Sequence, residues 1–279
     1  MEFSKYHALG NNFIFVDNRN GENDFSKEAF IARLCDPRTG IGADGLVEIR
    51  SCENAEHSSC AFEFVYHCSD GRLGSFCGNG GRCAVKFAVQ LGLASANEDV
   101  TFCTAYDGEH VGHLSSGSGL VRLQLRNIEQ GMACKLDENT YQIDTGGCNF
   151  VTYVDDLESF DVQKDGDDTR LTHDVSDDEG FNKMYVQNGE TPWNISVRSY
   201  ECGVNGETLA CGTGAAGAAL VTVSQRSVFT EPTAVKVNVK VRLGTLTVTA
   251  RRMGEWEFSD VYLIGPACHV FDGVVGELY

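Results

Sequence analysis

Apolar and polar residues alternate with a period of two along most of this chain, which is the signature of half-buried strands. The stretch "FSKYHALGNNFIFVDNR" reads as a strand, a turn at Gly10-Asn11-Asn12, and a second strand over Phe13–Asp17. "FEFVYHCSDG" and "NISVRSYECG" alternate in the same way and run into turn residues. "AVKVNVKVRLGTLTVTARR" predicts a hairpin with Gly244 at its turn. Three stretches break the period. Small residues, without alternation, predict helices over about 79–91 ("NGGRCAVKFAVQL") and 213–226 ("TGAAGAALVTVSQR"). A further helix is expected over 26–35 ("SKEAFIARLC").

The two small-residue helices are introduced by the same phrase. "SFCGNGGRC" at 75–83 and "LACGTGAAG" at 209–217 each place a cysteine before Gly-polar-Gly. Cys77 and Cys211 stand close to half the chain length apart, each after a strand and a turn. This arrangement predicts two similar halves, each built of strands around one central helix. The Ser/Gly-rich segment "HLSSGSG" at 113–119 is the expected boundary. One lobe then comprises residues 1–118 with 264–279 and carries Cys77; the other comprises 119–263 and carries Cys211.

Composition narrows the class. No apolar stretch reaches the roughly 18 residues that a membrane span needs, and "MEFSKYHALGNNF" has neither the basic region nor the apolar run of a signal peptide. The net charge is −18 with no Lys/Arg-rich run, which argues against nucleic acid and anionic membranes as partners. "DVQKDGDDTR" and "DEGFNK" read as solvated surface. The chain contains twelve cysteines but no CxxC pair. A preformed zinc knuckle is therefore not expected, and most of the thiols read as small buried hydrophobes in a reducing cytoplasm. No metal site is assigned.

A cysteine at a helix N-terminus sits beside backbone N–H groups and the positive end of the helix dipole, which favours thiolate. Gly78, Asn79, Gly212 and Thr213 offer N–H groups to a carboxylate or phosphate, and the glycines let a ligand approach the backbone. One such phrase alone is equally a tight turn beside a core cysteine; two at matched places point further. A pair of thiols, one ionised and one not, suits removal of a proton from one face of a carbon and its return to the other. Inversion at the α-carbon of an amino acid fits, with the carboxylate at the helix ends.

The chain resembles the diaminopimelate epimerase family over nearly its whole length. The resemblance rests on "FSKYHALGNNFIFVD", "DPRTGIGADGL" at 36–46, "CGNGGRC" at 77–83, "YECGVNGETLACGTGAAGAA" at 200–219 and "VYLIGPACHVFDG" at 261–273. It implies an α/β (α+β) fold of two pseudo-symmetric lobes, each a mostly antiparallel curled sheet around a central helix, and a cofactor-independent epimerase without PLP. It further implies that Cys77 and Cys211 are the catalytic thiols and that Glu201 assists the second. Asn11 and Asn182 become substrate contacts, and Gly78-Asn79 with Gly212-Thr213 the cradle of the α-carboxylate.

Four positions depart from the family pattern. Asn12 stands in place of an aspartate, Cys68 of an asparagine, Asn149 of a histidine and Cys202 of an arginine. A guanidinium holds a distal carboxylate through two bonds, which a thiol cannot reproduce. Two alternatives therefore stand beside inversion of L,L-diaminopimelate to the meso form. One is a racemase for an amino acid without a distal carboxylate. The other is a weakly active relative whose extra thiols Cys68, Cys148 and Cys202 bind a ligand or a soft metal. The expected partner is a small amino acid, and a homodimer is compatible with the sequence.

Overall fold

The computed structural model describes residues 1–52, 59–104, 108–172, 181–201, 204–226 and 228–276. Contacts divide the chain into one unit of Met1–Leu123 with Gly265–Tyr279 and a second of Gln124–Ile264. The Ser/Gly-rich segment at 113–119 is not a linker. It makes a hairpin turn within the first unit, closed by Ser115 N–H donating to Leu120 O at 3.0 Å.

The first unit contains β1 (Glu2–Ala8), β2 (Asn11–Asp17), α1 (Glu28–Cys35), β3 (Gly45–Arg50), β4 (Glu63–Cys68), α2 (Gly78–Gln90), β5 (Asp99–Thr104), β6 (Gly108–Leu114), β7 (Leu120–Gln124) and the last strand, β17 (Cys268–Val274). The strands lie in the order β17-β1-β2-β3-β4-β5-β6-β7. Every neighbour is antiparallel except β2–β3 and β4–β5, whose parallel crossovers carry α1 and α2.

The second unit contains β8 (Ala133–Lys135), β9 (Thr140–Asp144), β10 (Cys148–Tyr153), α3 (Val162–Thr172), β11 (Phe181–Asn188), β12 (Asn194–Glu201), β13 (Gly206–Thr208), α4 (Gly212–Arg226), β14 (Thr233–Val241), β15 (Gly244–Arg252) and β16 (Phe258–Pro266). Its order is β8-β9-β10-β11-β12-β14-β15-β16, with β13 paired to β12. Again only two neighbours are parallel, β10–β11 and β12–β14, and their crossovers carry α3 and α4. The two units therefore repeat one sequence of strand directions and one placement of helices, as two similar halves require.

The central helices are short of side chains because sheet packs closely around them. A Cβ on Gly81 of α2 would lie 2.7 Å from the Phe76 ring, and one on Gly217 of α4 would lie 2.8 Å from an Ile143 methyl. Both approaches are below ordinary van der Waals contact. Within α4, residues such as Ala215, Ala216, Ala218, Ala219 and Val223 are fully buried. A helix with this composition leaves no polar face to water, so packing rather than amphipathicity holds it.

Two local expectations shift. The first turn falls at Leu9 and Gly10, with φ of 52° and 92°, not at Gly10-Asn11-Asn12. Positive φ at both central residues is what a two-residue hairpin turn demands, and Asn11 and Asn12 thereby become the first residues of β2. The acidic stretch "DVQKDGDDTR" is not merely solvated surface, since most of it is helix α3. Val162 anchors that helix among Leu157, Tyr185 and Tyr200. The Tyr185 and Tyr200 hydroxyls donate to Asp165 and Asp167, each at 2.8 Å. Low hydrophobicity hid a helix whose acids are held by buried phenols. The predicted hairpin forms with its turn at Arg242 and Leu243, while Gly244 opens β15 across from Val241.

Among the described residues no helix is long and apolar enough to cross a membrane. In the first unit Glu48 of β3 is fully buried, which its partners make tolerable. It accepts from His67 Nε2 at 2.6 Å, Asn18 Nδ2 at 2.8 Å and Arg50 Nη2 at 2.8 Å. Burial alone would push this carboxyl up, but the three donors outweigh it and hold it below the usual carboxylate range. A depressed folded-state value contributes stability at neutral pH that is lost as the pH falls through it. Glu48→Ala should therefore cost about 3 kcal/mol in urea denaturation at pH 7, with the difference from wild type shrinking in acid. A cost that grows in acid would contradict the arrangement.

Candidate active site

In the first unit, Cys77 is the N-cap of α2, in extended conformation with φ −106° and ψ 113°. Its sulfur accepts from Gly80 N–H at 3.5 Å, the bond that a capping oxygen makes in an ordinary helix. The Cys77 thiol also approaches Asn11 Oδ1 at 3.7 Å, and the same oxygen accepts from Asn79 Nδ2 at 3.1 Å. Asn11, Cys77 and Asn79 therefore form one cluster. Gly78 and Asn79 occupy the first helical positions, where backbone N–H groups have no acceptor within the helix.

Two residues that sequence reasoning passed over support this cluster. Arg82 is wholly buried and donates to Asn79 Oδ1 at 2.8 Å and Gly78 O at 3.2 Å. Burial pulls its guanidinium down to about 10, and the thiols of Cys83 and Cys77 act in the opposite sense. At neutral pH a cation thus lies beneath the cysteine turn. Asp44 accepts from Asn11 Nδ2 at 3.0 Å, Asn12 Nδ2 at 2.7 Å and Asn12 N–H at 2.8 Å. Asn12, the residue in place of the family aspartate, thus takes its carboxylate from Asp44 and also accepts from Lys5 Nζ at 2.5 Å. Both residues stood in plain view, Arg82 in "CGNGGRC" and Asp44 in "GIGADGL", but nothing in residue spacing reveals which side chains turn inward.

Cys68 ends β4 and is half-buried. Burial first, then Asp70, push its thiol up, and a hydrogen bond with Tyr66 opposes them.

In the second unit, Cys211 directly precedes α4 and is 5% exposed. Its sulfur accepts from Gly214 N–H at 3.4 Å and lies 3.7 Å from Thr213 Oγ1. The sulfur-to-backbone bond three residues ahead repeats that of Cys77. The surroundings do not repeat. Glu201, at the end of β12, hydrogen-bonds the Cys211 thiol and accepts from the Thr208 hydroxyl. Thr208 in turn meets Ser199 Oγ at 2.9 Å.

Helix-terminal placement predicts a lowered thiol at both cysteines, and for Cys211 the structure reverses this. Burial pushes it well above the ordinary thiol range, the Glu201 charge adds to that, and the bonds from Gly214 and Thr213 do not compensate. Cys211 is a protonated thiol at neutral pH.

Asn149 and Asn182 face each other in the parallel β10–β11 register, and Asn182 Nδ2 donates to Asn149 Oδ1 at 3.4 Å. Asn149 is fully buried and donates to Gly147 O at 2.7 Å and Thr145 Oγ1 at 2.9 Å. Thr145 Oγ1 donates on to Thr213 O at 2.9 Å. The asparagine in place of the family histidine thus holds the loop that carries the first turn of α4. Cys148 beside it is pushed up chiefly by burial, and its sulfur accepts from Gln142 Nε2 at 3.5 Å. Cys202 lies outside the described residues.

Comparison with known proteins now adds to the geometry. The fold is shared with a solved Bacillus anthracis phenazine biosynthesis protein of the PhzF family (TM-score 0.71, 13% identity, 99% of each chain covered). It is shared also with a hydroxyproline epimerase from Agrobacterium vitis (TM-score 0.69, 12% identity, covering 98% of this chain and 90% of that one). At the level of sequence, the family model described as diaminopimelate epimerase matches residues 3–106. A diaminopimelate epimerase of Flavobacterium psychrophilum is 33% identical over 99% of this chain and 100% of its own length. One of Chlorobaculum tepidum is 36% identical over 96% and 98%. The chain belongs to the diaminopimelate epimerase family.

The contact between Glu201 and Cys211 has a direct consequence. Removing the carboxylate charge removes a contribution that raises the thiol, so Glu201→Gln should move the pH profile of Cys211 alkylation downward, by about one unit. Mass spectrometry of the peptide containing Cys211 reads this. An unchanged or upward profile would contradict the contact.

Proposed function

We propose that this protein inverts the α-carbon of L,L-diaminopimelate to the meso form by a two-base reaction between Cys77 and Cys211, without a cofactor. The observation that carries the reading is the repeated one: in each unit a cysteine sulfur caps a buried helix and accepts the N–H three residues ahead. The names of the curated relatives support diaminopimelate as substrate over another amino acid.

The reaction requires the two thiols to address opposite faces of one carbon. In the L,L to meso direction, one cysteine as thiolate removes the α-proton, and the electron pair left on carbon delocalises into the α-carboxylate. In each unit the first-turn N–H groups, of Gly78 and Asn79 or of Gly212 and Thr213, suit a carboxylate and the charge that grows on it. The other cysteine, as thiol, then delivers its proton to the opposite face. The first cysteine ends protonated and the second ends as thiolate, so the enzyme must exchange these states or run in reverse. The raised Cys211 thiol suits it to begin as the acid, with Cys77 as the base over the Arg82 cation. Glu201 positions the Cys211 proton, and Asn11 and Asn182 contact the substrate. The net charge of −18 supports a free amino acid rather than nucleic acid or an anionic membrane as partner. The eleven cysteines among the described residues are free thiols, which suits a reducing cytoplasm.

Cys77→Ser and Cys211→Ser should each lower kcat by at least about a thousandfold, since a serine hydroxyl is far too weak an acid or base in this exchange. Near-wild-type turnover in either variant would overturn the assignment. Turnover of other amino acids but not diaminopimelate would keep the two thiols and remove the substrate.

A further inference from the structure

Three cysteines outside both cysteine turns gather in the first unit. Cys52 follows β3, Cys60 precedes β4 and Cys103 lies in β5. Their sulfur atoms all fall within 4.8 Å of one another, and those of Cys52 and Cys103 approach to 3.1 Å. Backbone bonds fix the group: Ala61 N–H donates to Thr101 O at 2.8 Å and Cys103 N–H to Phe62 O at 3.1 Å. Glu109 of β6 lies directly opposite Cys103 in the antiparallel register, so the two side chains leave the sheet on one face. The Cys60 thiol hydrogen-bonds both Cys103 and this carboxylate.

Three thiols and one carboxylate are a complete tetrahedral donor set for a borderline cation. Zn–S bonds of about 2.3 Å in a tetrahedron place sulfur atoms roughly 3.8 Å apart, within the spread found here. A divalent ion would supply the charge that converts such thiols into ligands, with release of protons.

We propose that Cys52, Cys60, Cys103 and Glu109 bind one Zn²⁺, a closed structural site that ties the end of β3 and the approach to β4 to the β5–β6 hairpin. The four residues come from separate strands and loops, which is why no CxxC spacing announces them. The proposal is independent of the epimerase reading.

The test is titration of fully reduced, metal-free protein with Zn²⁺ against a chromophoric competitor, with Co²⁺ as a spectroscopic substitute. The expected result is one equivalent per chain and a thiolate-to-Co²⁺ charge-transfer band. Both should be lost in Cys52→Ser and in Cys60→Ser, kept in Cys77→Ser, and altered in the Co²⁺ spectrum of Glu109→Gln. Circular dichroism establishes that each variant is folded, and Cys52 and Cys60 are chosen because Cys103 is the more deeply buried. Three results would overturn the proposal. One is the absence of stoichiometric binding. Another is binding that survives both Cys52→Ser and Cys60→Ser but vanishes in Cys77→Ser. The third is a Cys52–Cys103 disulfide in the isolated protein that binds no zinc once reduced.

Discussion

A helix enclosed by its own sheet begins among largely buried residues, and its first N–H groups still need acceptors. Much of this structure follows from that constraint. Glycines such as Gly81 and Gly217 let side chains of the sheet and its loops close on α2 and α4. In both units a cysteine sulfur meets the need by taking the N–H of the third residue ahead. It leaves the first two N–H groups of each helix pointing to where an anion would sit. The feature that starts the helix thus sets a thiol beside backbone N–H groups.

Repetition of the strand order gives two equivalent frames, while the residues within them have diverged. Around Cys77 the partners are amides and a buried guanidinium: Asn11, Asn79 and Arg82. Around Cys211 they are a carboxylate and hydroxyls: Glu201, Thr208 and Thr213. A buried guanidinium beneath one cysteine turn and a carboxylate beside the other thiol make the two surroundings unequal, and burial with the Glu201 charge raises the Cys211 thiol. A two-base inversion needs that inequality, and symmetry of fold alone would not provide it.

Much of this was legible in the sequence because it is written in local pattern. The repeated Cys-Gly-X-Gly identified both helix starts, and alternation located most strands, since a side-chain period of two reports directly on one buried face. The first turn was misplaced by one residue because Leu9 adopts a positive φ that a non-glycine residue rarely takes. Helix α3 was hidden because its stability comes from Tyr185 and Tyr200 on distant strands. Arg82 and Asp44 were missed for a similar reason: which polar side chain turns inward depends on what the fold places beside it. The Cys211 thiol ran against expectation because complete burial beside Glu201 outweighs the helix terminus, and burial depth is a tertiary property. The substitutions at Cys68 and Cys148 have no account in the structure beyond their partial burial.

A two-base inversion takes the α-proton with one group and returns it with another, and solvent isotope distinguishes the two. L,L-diaminopimelate incubated in D₂O with reduced enzyme, sampled in the first turnovers, should yield meso product carrying one α-deuterium while recovered substrate remains protiated. Deuterium appearing equally in recovered substrate and product from the start would indicate a single base, and no deuterium in either would remove the reaction itself.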